Sequence, residues 1–466
     1  MAVPGGDVFF LTITELSAKL RAKEFSAQEL TRAYLDRLEK LGPTFNALAH
    51  SLRERAIKKA KDVDSDLKIG RTRGMLQGIP FGAKDLFAAQ GQPTEWGSKM
   101  FAGQKFDEDA RVIQKLDRVG AVLIGKLAMI EIAGGIGYRT AAASVTGATT
   151  NPWDKTKWAG GSSSGSAAAV AAGLVTFALG SETSGSIVTP AAFCGVTGLR
   201  PTYGLVSRKG AMALSWSLDK VGVLCRSVED CGLVLEQIAG ADNDDAGSAR
   251  KGFRYLPQLD RPISELTLGF VPAHFEQAAP EARAALQAGF EAVKALGAKI
   301  REVKIPEFPF GAVLETILGG EAASVFEDMI RSGKVDLMAD ENQAASLKAA
   351  IEISAVDYLK AQRVRSLVKA AFRELFFDFD VLVAPARSGV APAAGVLGGG
   401  GGPSDSLIPA TNLVGYPGLS VPCGFAGGLP VAIAFMGKPF YENQILSFGR
   451  AFQAATDWHK RRPAIA

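Results

Sequence analysis

The stretch AGGSSSGSAAAVAAGLVTFALGSETSGSIVTP, residues Ala159–Pro190, carries serine clusters at both ends of an Ala/Gly-rich apolar run. Ser162, Ser163, Ser164 and Ser166 open it, and Ser184 and Ser186 flank Gly185 near its end. Serine is poor core material and only a modest helix former, because its hydroxyl competes for backbone hydrogen bonds. Two such clusters around a packable run fit a linker, a phosphate loop or a catalytic site. The rest of the chain decides among them.

A phosphate loop requires Gly-Lys-Ser/Thr, so that a lysine reaches the terminal phosphates. GGSSSGS at 160–166 has no such lysine, and no GxGxxG occurs there. A Ser–His–acid hydrolase requires a histidine to take the nucleophile's proton. The chain holds only His50, in the early helical arm, His274, in a loop-like stretch, and His459, beside the charged tail WHKRRP. No GxSxG elbow comes with a downstream acid–histidine pair. A serine nucleophile here therefore needs another base. Lysine can serve once burial lowers its pKa, since the neutral amine then accepts a proton. QGIPFGAKDLFAAQG at 77–91 offers Lys84, after an apolar glycine-containing turn and before Asp85. On this window alone, a buried base and an ordinary surface lysine both remain open.

Composition narrows the class. The 466 residues are 47% hydrophobic and 21% charged, the balance of a soluble globular protein. A net charge of +4, from 52 basic and 48 acidic residues interspersed along the chain, gives no basic stripe for nucleic acid. Cys194, Cys225, Cys231 and Cys423 are too few for a disulfide framework and lack zinc-ligand spacing, so they read as reduced structural thiols and no metal is expected. The N-terminal MAVPGGDVFFLTITELSAKL lacks a basic n-region and a small-residue cleavage site. No apolar run approaches the roughly 18 residues of a membrane span. A cytoplasmic protein with no membrane partner is the expectation.

Along the chain, Thr12 with Glu15 and Ser26 with Glu29 each fit a capping box. Leu30, Tyr34, Leu38 and Leu41 then recur at helical spacing until Gly42-Pro43 stops the run. AVLIG at 121–125, VTFAL at 175–179 and LTLGFVP at 266–272 read as buried strands. A helix opens at Pro280 and ends at Gly297, with strands IREVKI at 300–305 and DVLVAP at 380–385 beyond it. Five glycines, Gly398–Gly402, read as a mobile loop. The alternation predicts an α/β protein with a largely covered sheet. We expect one domain over 1–466, with a helical N-terminal arm over 1–65.

Several motifs together resemble the amidase signature family. They are GIPFGAKD at 78–85, GGSSSGS, SETSGSIVTPAAFCGVTGLRPTYG at 181–204, SLDKVGVLCRSVEDC at 217–231 and NLVGYPGLSVPCG at 412–424. The resemblance runs from about residue 75 to 455 and is least specific between 240 and 345. It implies the amidase-signature fold, a central mixed twisted sheet covered by helices on both faces. The signature core would span 66–230 and a variable substrate-side region 240–345. It further implies carbon–nitrogen hydrolysis by a Ser–cis-Ser–Lys triad without a cofactor. By position, the nucleophile falls on Ser186, the cis-serine on Ser162 and the base on Lys84. The backbone N–H groups of Thr183, Ser184, Gly185 and Ser186 would form the oxyanion hole. The three other serines of the first cluster would be loop and helix-cap hydrogen bonders.

Departures bear on the substrate. Many relatives carry Asp, Gly and Arg where this chain has Glu182, Ser184 and Val188. MIEIAGG at 129–135 resembles a segment that often holds methionine beside the acyl group; Gly134, with Gly135 next to it, would widen that pocket. The chain is also similar to the glutamine-using subunit of tRNA-dependent amidotransferases. Asp405 matches an acid that holds the amine of that substrate, but ENQAASLKAAIE at 341–352 lacks the matching arginine. A stand-alone amidase acting on apolar or aryl amides, extending to carbamates or esters, is the leading expectation. The alternatives are a non-catalytic binding relative and the glutaminase component of a tRNA-dependent amidotransferase. A monomer or homodimer binding a small-molecule substrate is expected.

Overall fold

In the computed structural model, residues 6–258, 261–395 and 407–465 are described; the Gly398–Gly402 tract and Asp405 lie outside them. Both capping boxes form. Thr12 and Ser26 accept from the backbone N–H of Glu15 and Glu29, whose carboxylates reach back to the cap nitrogens. The helices they start, Ile13–Arg21 and Ala27–Leu41, bury Leu16, Leu20, Leu30, Tyr34 and Leu38. Gly42 ends the second. The N-terminal arm is not helical throughout. Strand β1, Leu48–Ser51, pairs antiparallel with β3, Val122–Leu127, and puts His50 on a sheet edge.

The central strands follow from short β-branched and Ala/Gly runs buried on both faces. They are β2 (Pro80–Lys84), β3, β6 (Phe177–Glu182), β7 (Thr197–Arg200) and β8 (Lys220–Cys225). β4 (Thr150–Asn151) and β5 (Asp154–Trp158) form a separate ribbon. Further along come β9 (Thr267–Phe270), β10 (Lys299–Glu302), β11 (Val381–Pro385), β12 (Gly418–Ala426) and β13 (Leu429–Gly437). Among the described residues, eleven strands make one mixed sheet in the order β1-β3-β2-β6-β8-β7-β12-β13-β11-β9-β10, flanked by helices. β2, β3 and β6 run parallel, so their carboxyl ends open on one edge. Ligand crevices in α/β sheets lie at such edges.

Two expectations shift. The strand read over 300–305 instead spans Lys299–Glu302, so only Ile300–Glu302 of IREVKI belong to it, and all four strand residues are exposed because β10 closes the sheet. His274 lies buried in a short helix, Pro272–Glu276, rather than in a loop. All four cysteines are buried free thiols. Among the described residues no helix is long and apolar enough to cross a membrane.

Candidate active site

Lys84 is the last residue of β2, and its side chain is fully buried. Its neighbour in the sheet, β6, runs parallel and reaches Ser181 two residues beyond the Ala83–Leu179 pairing. Parallel strands in register therefore bring Lys84 and Ser181 to one edge. Lys84 Nζ donates to Ser181 Oγ at 2.9 Å and to Ser162 Oγ at 2.7 Å. Ser162 precedes the helix Ser164–Ala171, whose eight residues are all buried. The Gly161–Ser162 peptide is cis. Ile130 N–H, just beyond β3, donates to Ser162 O at 3.1 Å, tying the loop to the same sheet edge.

The other serines of the first cluster hold this helix in place. Ser163 sits at its N-cap position without a side-chain cap bond. Instead its Oγ donates to Ser181 O at 3.2 Å and accepts from Ser181 N. Ser166 Oγ donates to Leu179 O at 3.0 Å, and Ser164 Oγ accepts from Thr149 at 3.1 Å. Loop and helix-cap hydrogen bonding was the expected role for these hydroxyls, and the capping part does not form. The small helix lies so close to β6 that they bond across to the strand and to Thr149 instead.

The second cluster forms a tight loop between β6 and the helix Val188–Cys194. Gly185 has φ +89°, a conformation that L side chains rarely adopt. Ser163 N–H donates to Ser186 O at 3.3 Å, joining the two clusters. Ser186 is buried, and its Oγ makes no hydrogen bond among the described residues. Nor does any described residue accept from the main-chain N–H groups of Thr183, Ser184, Gly185 and Ser186. Glu182 fixes the loop's far end. Its Oε2 accepts from the N–H of Ile187 and Val188 at 2.8 and 2.9 Å, and its Oε1 from Arg200 and Asn412. Burial alone would raise the carboxyl, but Arg200 and these donors outweigh it and hold the pKa down at about 2.

Two acids act on Lys84. Burial depresses the Lys84 pKa to about 7, and the carboxylates of Asp219 and Glu182 oppose the fall. Asp219 accepts from Thr183 Oγ1 at 2.6 Å and from the N–H of Leu214 and Ser215. Lys220 lies beside it, pushed well below the usual ammonium range by burial and by the charge of Arg200. Asp85, next to the base, has a different task. It takes Lys126 Nζ at 2.9 Å in an ion pair buried from solvent.

Gly134 does not leave an open recess. A Cβ built on it would lie 2.8 Å from the Tyr138 ring, and its φ is +98°. The ring fills the space that a side chain at 134 would take, and its hydroxyl lies 2.7 Å from where a Gly161 Cβ would be. A Cβ on Gly135 would lie 2.9 Å from Gln343 Nε2, which bonds Glu131 O. Ile132 and Ala133 also have positive φ, so residues 132–135 form a strained left-handed run.

A cavity of about 420 Å³ is bordered by Ser181, whose Oγ takes Lys84 Nζ, and by Thr183 and Ala133; Lys84, Ser162 and Ser186 themselves do not line it. Neither Gly134 nor Gly135 lines it. Sequence reasoning passed over Ser181 and Asp219. Ser181 stood inside the quoted stretch, five residues before Ser186, and its position near the end of a strand beside β2 was the missing signal. Asp219 stood in SLDKVG, where its link to Thr183 is not legible.

Known proteins share this architecture. The family described as Amidase matches residues 29–446. The chain is 39% identical to a glutamyl-tRNA(Gln) amidotransferase subunit from Dechloromonas aromatica strain RCB, over 97% of this chain and 98% of that one. It superposes on the native peptide amidase of Stenotrophomonas maltophilia with TM-score 0.85 and 30% identity, over 97% and 98% of the two chains. With the corresponding glutamyl-tRNA(Gln) amidotransferase subunit of Thermotoga maritima the TM-score is 0.79 and the identity 28%, over 100% and 98%.

Proposed function

The chain belongs to the amidase family, and from that premise we propose that it hydrolyses a carboxylic amide through an acyl-enzyme on Ser186. The single observation that carries this reading is Lys84, fully buried and with a pKa near 7, donating to Ser162 Oγ at 2.7 Å. A neutral amine at that distance can take the hydroxyl proton of Ser162, which in turn takes that of Ser186 as it attacks the carbonyl. The unpartnered N–H groups at 183–186 would meet the developing oxyanion, where donors are each worth on the order of 10²–10³ in rate. Ser162 then returns the proton to the leaving nitrogen, and water releases the acid. No step draws on a metal or a cofactor. The acyl group would meet the left-handed turn 132–135 at Ala133, the residue of that turn that lines the cavity.

The cavity supports an uncharged substrate. Its walls are largely apolar, through Leu86, Met212, Leu214 and Val221. We favour aryl or apolar amides, with carbamates and esters as further candidates. The purified protein assayed on acetanilide, benzamide, an aryl carbamate, an aryl ester and glutamine tests this. Turnover of the uncharged amides, lost in Ser186→Ala, supports it. Turnover of none of them contradicts it.

One observation favours a second reading, the glutaminase component of an amidotransferase: the 39% identity to an amidotransferase subunit over nearly the full length of both chains. Glutamine turnover that appears only with partner subunits, without turnover of the uncharged amides, would select it.

A further inference from the structure

The chain holds five tryptophans. Four of them, Trp96, Trp153, Trp158 and Trp458, pack against another aromatic ring. Trp216 does not: among the described residues no ring or cation pairs with it. It lines the cavity bordered by Ser181, and 44% of its surface is exposed. An indole is a large apolar surface to leave in water, so an unpartnered one in a cavity wall calls for a reason.

Its backbone is held on every side. Asp219 Oδ2 accepts from Leu214 N at 2.8 Å and Ser215 N at 2.9 Å. Glu321, from the helix Phe310–Val325, accepts from Ser215 Oγ and, at 3.1 Å, from Ser217 N. Arg365, from the helix Ala355–Leu375, donates to Ser217 O at 2.7 Å and Ser217 Oγ at 2.8 Å. The carbonyl of Trp216 itself accepts from Tyr203 Oη at 2.7 Å and from Arg208 Nη1. The loop is therefore fixed before any ligand arrives, while the ring it carries is left uncovered. That is preorganisation of an aromatic surface, which lowers the ordering cost of binding.

The charged groups around the cavity do not compete for the ligand. Arg208 makes three contacts to the Asp245 carboxylate, at 2.6, 2.8 and 3.1 Å. Lys209 pairs with Asp244 at 3.3 Å, and Lys220 donates to the carbonyls of Thr183 and Leu218. Asp219 is taken up by Thr183 and the loop itself. Every formal charge on the wall already has a protein partner. The remaining recognition is apolar contact and the face of one indole.

We propose that Trp216 is a specificity-determining residue that stacks on a planar aromatic group carried by the substrate, next to its scissile amide. This rests on the reading of the cavity as the approach to Lys84 and Ser186. A flat π face discriminates between planar and puckered rings of similar size, because only the planar ring meets it across its whole area.

The test uses matched ligand pairs: benzamide against cyclohexanecarboxamide, and acetanilide against N-cyclohexylacetamide. Binding is measured by calorimetry on Ser186→Ala protein, so that turnover does not enter. In the further variant Trp216→Ala, the aromatic member of at least one pair is expected to bind roughly tenfold more weakly, with its saturated counterpart changed less than about twofold. Trp216→Phe restores most of the difference. Circular dichroism of each variant establishes that the fold is intact. Equal weakening of both members of each pair, or no change in either, overturns the proposal. Trp216-dependent binding without hydrolysis of any amide by the unmodified protein would sink the catalytic reading and leave the stacking role standing.

Discussion

Lys84 sits at the meeting point of two opposed effects. Burial favours its neutral form, while Asp219 and Glu182 favour the ammonium, and burial wins with a pKa near 7. Because the neutral amine is the proposed base, the rate should rise with pH through about 7 and level off above it. Lys84→Ala should cost roughly 10²–10⁴-fold in kcat, as removal of a general base typically does. Asp219→Asn removes an anion that raises the lysine pKa, so the rising limb should move to lower pH. A pH–rate profile of kcat/KM on any turned-over amide checks both, and an unmoved limb in Asp219→Asn would show that Asp219 does not act on the base. Gly134 is constrained by conformation rather than by charge. Its φ of +98° and the Tyr138 ring at 2.8 Å from a built Cβ predict that Gly134→Ala destabilises the protein by at least about 1–2 kcal/mol, read as a fall in the urea midpoint. A glycine there read from sequence as spare room. The physical reason for it is an aromatic ring four residues on, which no local pattern announces.

At the scale of elements, the loop 183–187 depends on how one short helix begins. The helix Val188–Cys194 has no N-cap side chain of its own, and Glu182 supplies the acceptor from the preceding strand. The folded-state pKa of Glu182 lies at about 2, below the ordinary 4.5, so its contribution to stability is complete above pH 4.5 and is lost as pH falls towards 2. A gap of that size is worth about 3 kcal/mol. Glu182→Gln should therefore lower stability at neutral pH and flatten its decline between pH 4.5 and 2, measured by urea unfolding across that range. An unchanged decline would mean that other carboxylates govern acid unfolding. The elements themselves were legible where a local rule sufficed. Both capping boxes, the helix from Pro280 and the strand at 381–385 stood in the sequence as patterns of a few residues. The roles proposed for Lys84 and Ser186 rest on motifs, since nothing in their own windows separates a base from a surface lysine. Strand limits were less legible: VTFAL begins its strand only at Phe177, where pairing with β2 starts.

Across the whole molecule, the region 310–375 carries little motif yet braces the walls of the site. Glu321 and Arg365 grip the loop at 215–217. Asp340 Oδ2 accepts from Arg139 and Thr140, and Glu131 Oε2 from Ala339, fastening the left-handed turn to the same helical layer. These contacts join residues more than 100 positions apart, beyond the reach of any local spacing rule. Nor does sequence order disclose that β12 lies between β7 and β13. Glu321→Ala would strand three donors, Ser215 Oγ, Ser217 N and Tyr358 Oη. We expect a loss of about 1–3 kcal/mol, with hydrogen exchange accelerating at 214–219 more than in β6. Uniform acceleration across the sheet would show that the loop is not separately braced.

A serine acyl-enzyme served by a lysine base is open to covalent trapping. The protein is treated with a fluorophosphonate over a range of pH and the modified peptide is mapped by mass spectrometry. One adduct is expected, on Ser186, absent in Ser186→Ala, and formed faster as pH rises through about 7 in step with the titration of Lys84. An adduct on Ser162, Ser181 or any other serine in the intact protein, or labelling of Ser186 that is indifferent to Lys84→Ala, would contradict this chemistry.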